Sequence, residues 1–146
     1  MANIIPDSFK AELLAGTHDF KYGTSSQTFK VALYTDISAY STASTVYLTT
    51  NEVSSSGTGY VTGGQDLALD TLSGSVPGSN TAIVDFTNET FTSVTLTAVG
   101  AAIYNSSASN KLVLVIDFGG SKSATSGDFT IQWPSPTASD AIIRLG

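Results

Sequence analysis

The chain has 146 residues and a formal net charge of −6, with six Lys and Arg residues against twelve Asp and Glu residues. This acidic balance opposes binding to nucleic acid and to anionic membranes. The absence of cysteine excludes disulfides, thiolate metal sites and cysteine nucleophiles. Only 12% of the residues are charged, whereas 21 are serine and 20 are threonine. This composition argues against most enzymes and favours a polar, β-rich structural protein.

The length predicts one domain. A single domain of this size buries roughly two-thirds of its unfolded surface. Two domains of about 70 residues each would have small hydrophobic cores, which are usually supplemented by disulfides or metals. The sequence shows no internal repeat and no linker. We therefore expect one domain over residues 1–146, with residues 1–20 as an amino-terminal arm that contains a helix.

The helix is predicted from three features of the first 16 residues. Pro6, Asp7 and Ser8 offer capping chemistry, apolar residues follow at helical spacing, and Gly16 offers a left-handed stop. A helix of about two turns is marginal alone and must dock on something. Packing on its own domain is the favoured interpretation, and gripping a neighbouring subunit is the alternative. The residues we expect to contact a partner are Ile4, Ile5, Phe9, Leu13 and Leu14.

From Thr28 onward the apolar residues recur with period two, which is typical of strands. In the first strand, Phe29, Val31 and Leu33 share one face, and Lys30 and Tyr34 lie on the other, as in a half-buried strand. Further strands are predicted around residues 67–69, 81–86, 94–104, 111–118, 129–133 and 141–145, and the loop of residues 51–64 contains a short extended segment. The glycine pair at 119–120 is expected to end the strand before it.

These segments amount to roughly eight short strands with almost no room for crossover helices. Parallel pairing requires long connections, so the sheets are predicted to be antiparallel. Two sheets that face each other bury both apolar faces. The fold class expected is all-β, an antiparallel β-sandwich or jelly roll with one short amino-terminal helix.

The amino-terminal residues predict no signal peptide, because they contain neither a basic region nor a long apolar run. The longest strongly apolar stretch, from Leu112 to Ile116, has five residues and cannot span a membrane. We expect synthesis in the cytoplasm and no association with membranes.

The residues that enzymes and metal sites use are sparse. His18 is the only histidine, and no nucleophile-elbow pattern accompanies it, so a surface or interface position is favoured over catalysis. Asp66 and Asp70 share one face of a predicted strand, but polar outward residues give the same pattern. A hydrolase that uses Asp66, Asp70 or Asp117 lacks the His, Arg or Lys residues that would tune these acids. We expect no catalytic residue, no cofactor and no metal.

Two glycine pairs superficially resemble phosphate loops. Gly63-Gly64 and Gly119-Gly120 precede no helix and lack a following Lys-Ser/Thr, so both the amide cradle and the charge are missing. Both pairs are predicted to be turn glycines.

Several tyrosines occur among serine and threonine residues rather than in apolar runs, which is typical of an exposed aromatic patch. Such tyrosines serve either a subunit interface, which we favour, or a sugar-stacking platform. The candidates are Tyr34, Tyr40, Tyr47 and Tyr60.

Five segments resemble short virion structural proteins of tailed bacteriophages, and together they span nearly the whole chain in a consistent order. Each is a strand with its turn. They are residues 28–35 (TFKVALYT), 51–60 (NEV leading to GTGY), 100–105 (GAAIYN), 114–120 (LVIDFGG) and 129–134 (FTIQWP).

The resemblance implies a head decoration, or cement, protein of the β-sandwich or jelly-roll type, with no catalytic residues. Such proteins sit on the outer capsid surface, often as homotrimers, so the major capsid protein is the expected partner and no nucleic acid is bound. Binding only to the assembled shell stabilises it, and a symmetric oligomer multiplies weak contacts. The alternative is a tail- or fibre-associated virion protein with a glycan- or receptor-binding β-sandwich.

Overall fold

The computed structural model of the chain describes residues 2–78 and 80–146. This part of the chain is mostly β, with antiparallel sheets and one short α-helix, which confirms the predicted all-β class. Six strands are present in it, where about eight were predicted. The elements are α1 (Asp7–Leu14), β1 (Phe29–Tyr34), β2 (Gln65–Leu67), β3 (Ala82–Val84), β4 (Glu89–Asn105), a 3₁₀ helix (Ser106–Ala108), β5 (Lys111–Ile131) and β6 (Ile143–Leu145).

Helix α1 confirms the predicted helix but not its capping chemistry. Pro6 occupies the N-cap position, and no side chain caps the first turn. Ser8 instead donates its hydroxyl to the Ser44 carbonyl at 3.3 Å. After the helix, Gly16 has a φ of +73°, the left-handed conformation expected of a stop.

The strands form a four-stranded sheet of order β2-β1-β4-β5 and a two-stranded sheet of β3 and β6. β1 pairs antiparallel with β4 from Phe29–Asn105 to Tyr34–Gly100. Residues on both faces of β1 are buried, so the predicted half-buried strand is wrong there. The alternation of apolar and polar residues assigned the side chains of β1 to the two faces of the strand, but other parts of the chain cover both faces.

Gly100, whose place inside a strand pattern indicates either a bulge or a close backbone approach, is a close approach in the structure. A Cβ atom at this position would lie 2.4 Å from the carbonyl oxygen of Ile116 and 2.8 Å from the Ile37 side chain. Only glycine fits in this space.

The predicted end of a strand at Gly119-Gly120 is wrong, because β5 continues through both glycines to Ile131. Gly100 on β4 lies against Ile116 of β5, and Thr97 on β4 bonds to Ser123 of β5. Between these two contacts β4 advances by three positions, from 97 to 100, and β5 by seven, from 116 to 123, so β5 carries extra residues in an enlarged bulge. The positive φ of Gly119, +72°, accommodates it. The strands predicted at 111–118 and 129–133 are therefore one.

The described residues group into two compact units. The first comprises the residues up to His18, Gln27–Asp66 and Phe91–Phe129. One face of its sheet carries a cluster of buried residues, joined by three partly buried ones, Ile4, Tyr47 and Leu48. The buried members are Ala32, Tyr34, Ile37, Tyr40, Ala102, Tyr104, Leu112 and Val115.

The second unit comprises Asp19–Ser26, Leu67–Thr90 and Thr130–Gly146. β3 and β6 pair antiparallel within it, from Ala82–Leu145 to Val84–Ile143. The Phe86 ring packs edge-on against Phe20, with centroids 6.5 Å apart, and lies 6.3 Å from the Trp133 ring. The predicted single domain stays a prediction.

Candidate functional site

Residues 4–14 of the predicted amino-terminal arm are tied to the outer edge of β5. Backbone hydrogen bonds of 2.8 Å join Ile4 and Val115 in both directions. The Asp7 amide donates to the Thr42 carbonyl at 2.9 Å, and the Phe9 side chain is only 2% exposed. The arm therefore packs within its own unit, as the favoured interpretation of the sequence held.

Only part of the arm faces solvent. Leu14 is 91% exposed and Ile5 is 39% exposed, whereas Ile4 and Leu13 are half-buried. Five residues of the arm were predicted to contact a partner. Phe9 is one of them, but its side chain belongs to the core, so that prediction is wrong for Phe9. Ile5 and Leu14 remain free for contact.

A third exposed apolar side chain lies on a segment that is bridged to the same edge strand, β5. Val46 is 40% exposed and forms a β-bridge with Lys111, at the start of the same edge of β5 that Ile4 joins at Val115. Leu14 follows two residues after Glu12, whose carboxylate accepts from Lys111 of β5 at 2.5 Å. We call Ile5, Leu14 and Val46 the arm surface. The position of Val46 at this edge could not be predicted, because it is one of few apolar residues in a serine- and threonine-rich stretch without a clear period.

A polar network fixes the arm. The Glu12 carboxylate on α1 accepts from Lys111 Nζ at 2.5 Å and lies 3.0 Å from His18 Nε2. The Asn105 amide nitrogen lies 3.1 Å from His18 Nδ1. Because that amide donates to Nδ1, the ring proton belongs on Nε2, facing Glu12.

His18 is buried, so the predicted surface or interface position is wrong. Burial lowers the pKa of His18, and Lys111 adds to this effect, whereas Glu12 opposes it. Both ring nitrogens are engaged within the unit, so the ring holds the arm in place and is not presented to a ligand.

The predicted exposed aromatic patch is wrong. Tyr34, Tyr40 and Tyr60 are buried, and Tyr47 is half-buried. The Tyr34 hydroxyl lies 2.8 Å from the Tyr40 hydroxyl and donates to the Leu48 carbonyl at 2.6 Å. Their hydroxyls find partners inside the protein, which allows amphipathic rings to be buried among serine and threonine residues.

Glu52 organises the other tyrosines. Its carboxylate accepts from the Tyr47 hydroxyl at 2.5 Å, the Tyr60 hydroxyl at 2.6 Å and the Gly63 amide at 2.6 Å. The Tyr104 ring stacks on Tyr47 with centroids 4.5 Å apart. Burial, with the negative charge of Glu52 as a further cause, raises the pKa of Tyr104 to about 12. These phenols therefore stay protonated and act as donors, which is a structural arrangement.

Each of the three acidic candidates forms a hydrogen bond or an ion pair with a partner of its own. Asp66 pairs with Lys30 at 2.6 Å, Asp70 accepts from the Leu72 amide at 2.9 Å, and Asp117 accepts from the Gly119 amide at 2.8 Å. The described residues contain no group of three or more His, Cys, Asp or Glu residues that could hold a metal ion.

The predicted turn glycines have the expected backbone. Gly63 and Gly64 have φ values of +92° and +74°, and a Cβ at Gly64 would lie 1.7 Å from the Val31 carbonyl oxygen. The second pair, at 119–120, also has positive φ values but belongs to the bulge of β5.

The sequence did not predict a groove of about 470 Å³ in the first unit. None of its lining residues is charged, and seven of the ten are serine or threonine, whose methyl and methylene groups line it together with their hydroxyls. Thr97 and Ser123 bond to each other at 2.7 Å, and Thr95 accepts from the Ser126 amide at 2.9 Å. The lining residues are Thr35, Val53, Ser54, Thr58, Thr95, Leu96, Thr97, Ser123, Ala124 and Thr125. They come from separated segments, which is why no local motif reveals the groove.

No family model, curated protein or solved structure matches the chain. In the described part of the chain, no helix has the length and apolar character needed to cross a membrane. The resemblance to virion proteins therefore stays a prediction, and the arm surface is the candidate site that follows from the geometry.

Proposed function

We propose that this chain is a tailed-phage virion structural protein of the decoration, or cement, type. In this proposal it binds the outer surface of the head and bridges neighbouring major capsid protein subunits. The observation that carries the proposal is the arm surface, where Leu14 is 91% exposed at the end of a helix. The arm itself is fixed by the Glu12 contacts and the Ile4–Val115 bridge, so its apolar residues are presented in a defined position.

A preorganised apolar contact suits adhesion to a shell. Burying an exposed leucine contributes about 1.5–3 kcal/mol, and no ordering of the arm opposes it. A homotrimer would repeat the contact three times and convert weak binding into firm attachment. Any protein that binds only the assembled shell stabilises that shell against expansion.

The remaining features agree with such a role. The net charge of −6 suits a surface kept away from packaged DNA. We propose the same β-sandwich or jelly-roll scaffold and single domain that the sequence favours, with the arm surface as its point of contact. The bond between the protein and the shell would then depend on apolar area and depend little on salt.

Binding to empty heads of the phage that encodes the chain, prepared without it, tests the proposal. The variant is Leu14→Gln, because glutamine is a good helix former and adds no charge at the helix end. We expect affinity for heads to fall about tenfold or more, from the loss of a buried leucine. Sedimentation of heads with labelled protein measures it.

The matched control is Val61→Gln, which changes a side chain that is 68% exposed and outside the arm. Its affinity should stay within about twofold of the unmodified chain. If Leu14→Gln binds as the control does, the arm surface is not the contact. If the unmodified chain fails to bind heads, the decoration function itself is wrong.

The hydroxyl-lined groove favours a second candidate, a tail- or fibre-associated protein that binds glycans. Hydroxyl groups can exchange hydrogen bonds with a neutral sugar, and a volume of about 470 Å³ is within the usual range of ligand sites. This candidate predicts affinity for host surface polysaccharide that falls in Thr97→Val. A silent glycan array together with binding to heads would exclude it.

A further inference from the structure

Two buried oxygen atoms in the second unit have no hydrogen-bond partner among the described residues. They are Oδ2 of Asp85, a residue with 0% exposure, and Oγ of Ser73, a residue with 2% exposure. A buried polar atom without a partner costs about 1–3 kcal/mol, and more when the group is charged. Two such atoms in one small unit therefore require a physical account.

Hydrogen bonds hold these two residues on facing segments. The Asp70 amide donates to the Asp85 carbonyl at 3.0 Å, and the Ser73 amide donates to the Asp70 carbonyl at 2.9 Å. At the other end of the turn, the Gly74 amide donates to the Ile83 carbonyl at 2.9 Å. The turn from Asp70 to Gly74 is thus fixed against the segment that ends in Asp85.

The Asp85 carboxylate is satisfied on one side only. Its Oδ1 accepts from the Phe86 amide at 2.8 Å, and the Ile142 amide also stabilises the charged form. Burial is the largest influence and raises the pKa of Asp85, with repulsion from Asp70 acting in the same direction. Within the described residues, no cationic side chain is among the groups that act on this carboxyl.

We propose that Asp85, Ser73 and Asp70 form a site for a hard divalent cation of the Ca²⁺ type. Such an ion takes oxygen ligands at about 2.3–2.6 Å, so it can satisfy two buried oxygens that make no hydrogen bond of their own within the described residues. It would complete its ligand set with main-chain carbonyls. The second unit contains neither His nor Cys, so the donor set is all oxygen and disfavours softer metals.

The site does not depend on the proposed function, and thermal unfolding tests it. We expect the Tm of the whole chain to rise with Ca²⁺ concentration after treatment with EDTA, because an ion that binds only the folded state stabilises it. Asp85→Asn should abolish this rise. Asp140→Asn, which neutralises an exposed carboxylate of the same unit, should keep it.

The variants also differ in the absence of the ion. In EDTA, Asp85→Asn should have a higher Tm than the unmodified chain, because it removes an uncompensated buried charge. Saturating Ca²⁺ should reverse that order. Ser73→Ala keeps the carboxylate and should weaken Ca²⁺ binding about tenfold or more, measured by calorimetry; one lost oxygen ligand of about 1.4 kcal/mol accounts for that factor.

Three results would overturn the site. The first is a Tm of the unmodified chain that does not respond to millimolar Ca²⁺. The second is a response to Ca²⁺ that persists in Asp85→Asn. The third applies if Asp85→Asn fails to fold, and it is Ca²⁺ binding by Ser73→Ala equal to that of the unmodified chain.

Discussion

The two units bury acidic side chains in different ways. In the first unit, Glu52 receives three hydrogen bonds, from Tyr47, Tyr60 and the Gly63 amide. In the second, Asp85 is more deeply buried, yet one of its oxygens has no partner among the described residues. The Glu52 carboxylate has a full set of hydrogen-bond donors, whereas the Asp85 carboxylate has donors within the described part of the chain at one oxygen only. The difference separates an acid that holds a fold together from an acid that is available to a ligand.

The origin of the difference lies in the neighbouring residue types. Tyrosine carries a donor on a long apolar ring, so it can reach a carboxylate from within a core. Five of the six tyrosines lie around Glu52 or next to its partners: Tyr34, Tyr40, Tyr47, Tyr60 and Tyr104. The second unit contains only Tyr22, which is 48% exposed.

The largest effect is expected from Glu52→Ala. This change removes the acceptor of three donors and leaves them without that partner, the Tyr60 hydroxyl in a buried position, which costs about 3–5 kcal/mol in the free energy of unfolding. Chemical denaturation followed by tyrosine fluorescence measures it. Asp66→Ala, which breaks an exposed pair with Lys30, is the control and should cost at most about 1 kcal/mol. Equal losses for the two variants would show that the Glu52 network carries no special stability.

Sequence patterns predicted an element well where residues close to it in the sequence determine its structure. Helix α1, its stop at Gly16, and β1 follow from spacing and from glycine's access to positive φ. The merging of two predicted strands into β5 did not follow, because a glycine pair marks a turn and a bulge equally well. Only the partner strand distinguishes the two outcomes.

The candidate site was predictable in part. The apolar arm was identified from its sequence, but which of its residues face solvent depends on docking, so Phe9 and Leu14 had opposite outcomes. The tyrosines were misassigned for a physical reason. A run of serine and threonine residues predicts exposure, whereas hydrogen bonds to Glu52, for Tyr47 and Tyr60, and between Tyr34 and Tyr40 make burial of the rings favourable. Such a partner is visible only in three dimensions.

A smaller effect is expected from the pH dependence of Asp85. Its pKa is raised in the folded state, so the folded chain binds a proton more tightly than the unfolded chain does. Stability should therefore rise as the pH falls, over the window from the folded pKa down to the ordinary value of 3.8. The difference in Tm between the unmodified chain and Asp85→Asn, both in EDTA, isolates this residue. A difference that does not change with pH would contradict the uncompensated carboxyl.

The smallest effect is expected from His18, where two opposing influences act on the pKa. Burial lowers its pKa below 6.5, whereas the bond to Glu12 raises it, so the net shift is downward. The folded chain then binds a proton less tightly than the unfolded chain, and stability is fully present above pH 6.5 and falls as the pH drops toward the folded pKa. Because His18 is the only histidine, its ring signals in an NMR titration report the folded pKa directly. A midpoint at or above 6.5 would mean that the Glu12 bond outweighs burial, and the arm would then be held more firmly at acidic pH instead of less.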